Sequence, residues 1–195
     1  MSDIILSDIT KSFDDKTVLN GVSFTFPAGS TTCIKGSSGC GKTTLLRIIA
    51  GLEQKDGGTI SGVPEKISYV FQEDRLCEDF SAVSNITAVT GRTLSKEKIR
   101  EHLSELGLEE SAQKPVRELS GRMKRRVAIA RAVCYASELL ILDEPFKGLD
   151  VKLRQSVMDY IKRHADGRTI ICVTHDPAEA DYMGGNLIDM GETRN

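Results

Sequence analysis

No apolar stretch in this sequence approaches the ~20 residues that a membrane-spanning helix requires. Runs such as Leu139–Leu142 fall far short of it. The N-terminus opens on strand-like residues without the pattern of a signal peptide. Any association with a membrane is therefore expected to come through a partner. Net basic charge is also missing: 26 Lys and Arg stand against 28 Asp and Glu, so nothing advertises nucleic acid as a partner. The five cysteines (Cys33, Cys40, Cys77, Cys134, Cys172) form no CxxC pair. Their scatter argues against a zinc ribbon or a disulfide framework and fits a reduced, cytosolic compartment. Internal repeats and low-complexity segments are lacking too. What remains is an ordinary soluble composition, 39% apolar and 28% charged, in 195 residues, enough for one well-buried domain.

Short β-branched runs alternate with helical periodicity, which predicts an α/β fold with a largely parallel sheet. Ile4–Ile9, Val22–Phe26, Thr31–Lys35 and Lys66–Phe71 read as strands, and Asp56-Gly57-Gly58 reads as a turn. Lys42–Leu52 reads as a helix with Leu45, Leu46, Ile48, Ile49 and Leu52 on its apolar stripe. From about 81 to 136 helices dominate, suggesting a helical insertion in the α/β core. Within it Ser95–Leu108 is a helix capped by Ser95. A helix over Gly121–Tyr135, a strand over Glu138–Leu142, a helix over Val151–His164 and a strand over Arg168–Thr174 follow. Asn186–Met190 suits an edge strand.

Gly36-Ser37-Ser38-Gly39-Cys40-Gly41-Lys42-Thr43 satisfies G-x-x-x-x-G-K-[ST] between a predicted strand and a predicted helix, the context this motif requires. Its glycines let backbone N–H groups turn inward around phosphates, and the helix dipole faces the same anion. Lys42 would reach the β- and γ-phosphates, and the Thr43 hydroxyl would hold Mg²⁺. Thr44 follows in the same first turn. Cys40, beside a helix N-terminus, is expected to be reactive toward alkylation. A second element, Leu139-Leu140-Ile141-Leu142-Asp143-Glu144, is a buried strand ending in two acids, where α/β sheets place ligands. Asp143 suits Mg²⁺, and Glu144 suits orienting and deprotonating an attacking water.

Over nearly its whole length the sequence resembles the ATPase subunits of ABC transporters. Leu119-Ser120-Gly121-Arg122-Met123 and the following helix look like the signature of that family. Gln72 after Tyr69-Val70-Phe71 matches its Q-loop, Gly148-Leu149-Asp150 its D-loop, and Val173-Thr174-His175-Asp176 its switch histidine. Phe13 sits where the family places an aromatic residue against adenine. The resemblance implies one ABC ATPase domain over residues 1–195, mostly parallel, with an N-terminal antiparallel β part and the helical insertion. It implies a head-to-tail homodimer closing on two ATP molecules, each phosphate loop facing Ser120 and Gly121 of the other copy. Ser120 as an N-cap and Gly121 as a point of close approach suit a second anion site. The family assigns His175 to the γ-phosphate and Gln72 to Mg²⁺. It also implies transmembrane permease subunits, a substrate-binding protein, and a place on the cytoplasmic face of the membrane. His102 and His164 lie on predicted helices without a role, and Arg122, Lys124, Arg125 and Arg126 read as a solvated helix face.

Phe71-Gln72-Glu73-Asp74-Arg75-Leu76 and Asp143-Glu144-Pro145-Phe146 look most like the nitrate, sulfonate and taurine importer ATPases. Two departures stand out: Cys77-Glu78-Asp79 where that subfamily continues with apolar residues, and Arg122 where the signature has glycine. The alternative is a soluble ABC-type ATPase uncoupled from transport. DNA-repair relatives, however, carry a long coiled-coil insertion that does not fit between Gln72 and Leu119.

Overall fold

The computed structural model describes residues 1–91, 93–165 and 167–191. It divides into two compact units, Met1–Tyr69 with Glu138–Glu144 and Gly167–Asn195, and Val70–Ser137 with Pro145–Asp166.

In the first unit, β1 (Ile4–Phe13), β2 (Lys16–Phe26) and β4 (Gly57–Ser61) form an antiparallel sheet in the order β2-β1-β4. Along β1 the buried residues Ile4, Leu6 and Ile9 face the core. Lys11, on the same strand, is tied to Glu53 at 2.9 Å. β1 and β2 are longer than the apolar alternation predicts, because hairpin pairing carries polar residues such as Ser12 and Thr17 into register. A five-stranded sheet runs β5-β6-β7-β3-β8, with β3 (Thr31–Lys35), β5 (Ile67–Val70), β6 (Leu139–Asp143), β7 (Thr169–Val173) and β8 (Asn186–Asp189). β3 pairs in parallel with β7 and β8, and β6 with β7. Every residue of β6 and β7 is buried, as parallel strands covered on both faces require. Phe26, Ile34, Leu45, Leu46, Ile141 and Ile171 lie in one hydrophobic cluster.

Three expectations need correction here. Asp56-Gly57-Gly58 is not merely a turn, because Gly57 and Gly58 begin β4. Gly58 has φ +82°, and a Cβ there would lie 2.4 Å from the carbonyl oxygens of Ser7 and Asp8. Only glycine lets this strand approach β1 so closely. Helix α1 (Lys42–Ile49) stops before Leu52, since Ala50 caps it and Gly51 turns left-handed at φ +69°. Helix α6 (Pro177–Met183) was not expected. Asp176 caps it by accepting from Ala178 N at 2.9 Å, with Pro177 in its first turn.

The second unit holds α2 (Ala82–Thr90), α3 (Lys96–Glu105), α4 (Gly121–Cys134) and α5 (Val151–His164). Ser81, Ser95, Ser120 and Asp150 cap them, each side chain accepting from a backbone N–H in the first turn. Val127, Ile129 and Val133 of α4 and Val157, Tyr160 and Ile161 of α5 are buried. No described helix is long and apolar enough to cross a membrane.

Candidate functional site

The phosphate-loop motif joins β3 to α1. Gly41 caps α1 with φ +102° and has no side chain to accept from the first turn, so no cap side chain competes with an external anion at the start of the helix. A Cβ at Gly41 would lie 2.7 Å from Leu19 Cδ2 and 3.0 Å from Val18 O. Glycine is therefore required here by both its backbone angle and its neighbours. Lys42 is buried, and its ammonium donates to the carbonyls of Gly36 and Ser37, both at 2.8 Å. Ser37, Ser38 and Gly39 form the exposed rim, while Thr43 and Thr44 are half-buried.

Cys40 corrects the expectation of a reactive thiol: it is only 4% exposed, packed against Gly36 and 3.7 Å from Lys42 Nζ. Labelling it demands a local opening of the loop. Maleimide is expected to modify the exposed Cys77 at least about tenfold faster than Cys40. Peptide mass spectrometry over a time course reads both rates, and equal rates would show that the loop is open in solution.

The parallel register brings the remaining first-unit residues together. Asp143 and Val173 are partners at the C-terminal ends of β6 and β7, and Glu144 N continues the pairing by donating to Val173 O at 3.0 Å. Glu144 and His175, one and two residues further on, then meet, with His175 Nε2 2.6 Å from Glu144 Oε1. Glu144 adopts φ +48°, a left-handed backbone that costs a non-glycine residue about 1–3 kcal/mol and clusters at functional sites. The loop carrying His175 is fastened behind it, for Thr174 Oγ1 donates to Glu179 and accepts from Asp176 N. Asp143, 1% exposed, accepts from Thr43 Oγ1 at 3.3 Å and from Tyr69 Oη at 3.4 Å. Tyr69 had no signal of its own in the sequence. Phe13 ends β1 with 43% exposure, and Lys11 Nζ lies 4.9 Å from its ring centre.

Thr43 and Asp143 together suit a magnesium ion. Both present hard oxygen donors, and their separation of 3.3 Å is close to the spacing of about 3 Å between adjacent ligands of an octahedral ion.

Gln72, Ser120 and Gly121 belong to the second unit. Ser120 and Gly121 are exposed at the start of α4, where Ser120 Oγ accepts from Met123 N at 3.4 Å. Arg122 points to Asp150, with 3.8 Å between Nη1 and Oδ2 and both side chains over half exposed. Such a pair contributes ~1 kcal/mol at most. The solvated basic face expected along α4 is corrected at Arg125, which is 5% exposed. Its guanidinium donates to Phe71 O at 2.5 Å and to Gln72 O at 2.7 Å, and pairs with Asp74 at 3.3 Å. Burial holds the Asp74 carboxyl above its usual range against the opposing pull of Arg125. Arg125 thus shapes the backbone that carries Gln72. Arg126 donates to Leu106 O at 2.5 Å, which leaves Arg122 the most solvated cation of the four.

Sequence comparison bears directly on these loops. The profile described as "ABC transporter" matches residues 19–147, about two thirds of the chain. The chain belongs to the ABC transporter family. A second profile, for an AAA domain, matches residues 122–181 only. Among similar proteins is the aliphatic sulfonates import ATP-binding protein SsuB 2 of Agrobacterium fabrum, 41% identical over 189 residues, covering 92% of this chain and 73% of that protein. SsuB 1 of Pseudomonas syringae pv. syringae is 37% identical over 185 residues, covering 93% and 77%. The spermidine/putrescine import ATP-binding protein PotA of Thermotoga maritima is 38% identical over 207 residues, covering 97% and 56%. A bacterial Atm1-family ABC exporter solved with ATP bound shares the fold, with a TM-score of 0.83 at 22% identity over 97% of this chain. This chain spans 37% of that exporter's length. Membership in the family means nucleotide binding.

Proposed function

We propose that this chain is the ATP-hydrolysing subunit of an importer for small organic sulfonates. The observation that carries the proposal is the convergence of Thr43, Asp143, Glu144 and His175 at the C-terminal ends of adjacent parallel strands. Identity of 41% to a sulfonate import ATP-binding protein supports the direction and cargo.

In this reading the N–H groups of residues 36–44 and the Lys42 ammonium cradle the β- and γ-phosphates, and Phe13 stacks on adenine. Thr43 and Asp143 would hold a Mg²⁺ ion, with Gln72 as the further ligand that the family resemblance implies, and the ion would supply charge neutralisation at the phosphates. Glu144 accepts a proton from water as the water oxygen attacks the γ-phosphorus and the bond to the β-phosphate oxygen breaks, giving ADP and phosphate. His175 holds the Glu144 carboxylate and contacts the γ-phosphate. Two copies pair head to tail, with Ser120 and Gly121 of one capping the ATP of the other. Permease subunits and a substrate-binding protein complete the system at the cytoplasmic face of the membrane.

An affinity-tagged chain isolated from detergent-solubilised membranes of its own cells is expected to bring down a multi-span membrane protein. ATPase activity of that complex should rise with its binding protein and an alkanesulfonate, and not with a polyamine. Recovery of the active chain from the soluble fraction alone would replace the transporter reading with a soluble ABC-type ATPase.

A further inference from the structure

His102, Glu105 and His164 play no part in the nucleotide site, yet one ligand atom from each lies within 4.8 Å of the others. His102 and Glu105 stand three residues apart on α3 and share a face of it, and His164 ends α5. His164 Nε2 is 2.9 and 3.0 Å from the two Glu105 oxygens, and the two imidazole centres are 4.6 Å apart. Tyr160, 1% exposed, places its hydroxyl 3.0 Å from His102 Nδ1. In the tautomer protonated at Nδ1, the Tyr160 oxygen accepts from Nδ1 and the lone pair lies on His102 Nε2, as behind metal-ligating histidines. Arg163 also reaches Glu105, and Lys98 and Glu101 are the other charges near His102.

We propose that these three side chains form a zinc site. Two imidazoles and one carboxylate are a donor set for a borderline divalent ion and not for magnesium or calcium. Zinc bonds of about 2.0–2.1 Å put tetrahedral ligands about 3.3 Å apart, so His164 and Glu105 are already in place, and His102, with its ligand atom within 4.8 Å of theirs, closes the remainder. Arg163 turns away from Glu105 to admit the ion, and one coordination position stays open beside the groove lined by Lys152, Gln155 and Asp159. The ion ties the end of α5 to α3.

The full chain, stripped with a chelator, is dialysed against zinc and analysed for stoichiometry and by X-ray absorption at the zinc edge. One zinc per chain is expected, with two imidazoles, light-atom neighbours and no sulfur. His102→Phe, which keeps an aromatic ring against Tyr160, and His164→Ala should each weaken binding at least about a hundredfold, and Tyr160→Phe about tenfold. Zinc should raise the melting temperature of the wild type and leave that of His164→Ala unchanged. The proposal falls if no zinc is retained, if sulfur ligates it, or if both histidine variants bind as the wild type does. Should a variant fail to fold, the wild-type absorption spectrum decides alone.

Discussion

Replacing Glu144 with glutamine is expected to leave ATP binding intact and to lower hydrolysis at least about a hundredfold, the loss typical when a positioned general base is removed. Glutamine has nearly the same shape and can keep a hydrogen bond to His175, so the 2.6 Å contact is altered in character while its geometry survives. It cannot accept the proton of the attacking water. The left-handed backbone at φ +48° is equally strained in both residues, and stability should change little. ATP then persists, and the variant should elute in size-exclusion chromatography as an ATP-bound dimer. Wild-type turnover in Glu144→Gln would remove Glu144 from the mechanism and leave its contact with His175 as mere support for the β6–β7 ends.

How far the site could be read from the chain follows from sequence distance. The phosphate loop is a local device: its strand, glycines and helix are contiguous, and the structure keeps all three. Glu144 and His175 are 31 residues apart, and only the pairing of Asp143 with Val173 brings them together. Family resemblance supplied what spacing alone would not. Where neither helped, the reading failed. Gly57 and Gly58 carry no strand propensity, and β4 exists because β1 offers an edge. Arg125 looks like any other cation on a basic helix, yet carbonyls of residues 71 and 72 bury it. The zinc ligands escaped for the same reason, with 59 residues separating Glu105 from His164.

The signature segment carries the second large effect. Ser120→Arg is expected to abolish ATPase activity, whereas Arg122→Ala should stay within about tenfold of wild type, or ~1.4 kcal/mol. In the folded chain Ser120 is only a helix cap, whose loss costs about 1 kcal/mol, and a cation at a helix N-terminus costs about another 0.3–1 kcal/mol. Neither would silence an enzyme. The expected loss follows from the proposed head-to-tail pairing, in which the arginine would occupy the place of the γ-phosphate bound by the opposing copy. Ser120→Ala separates the two, since it removes the cap without filling that space. Gly121 sharpens the test, for a Cβ there meets nothing within 4 Å in its own chain. Gly121→Ala should therefore fold at least as well as wild type, alanine being the better helix former by about 1 kcal/mol. Loss of activity in a stable Gly121→Ala protein would locate its constraint in the partner's nucleotide, and unchanged activity would argue that no second copy closes on this helix. Arg122, held weakly toward Asp150 in solvent, has little to lose. A hundredfold fall in Arg122→Ala with the fold intact would instead make its guanidinium a phosphate ligand.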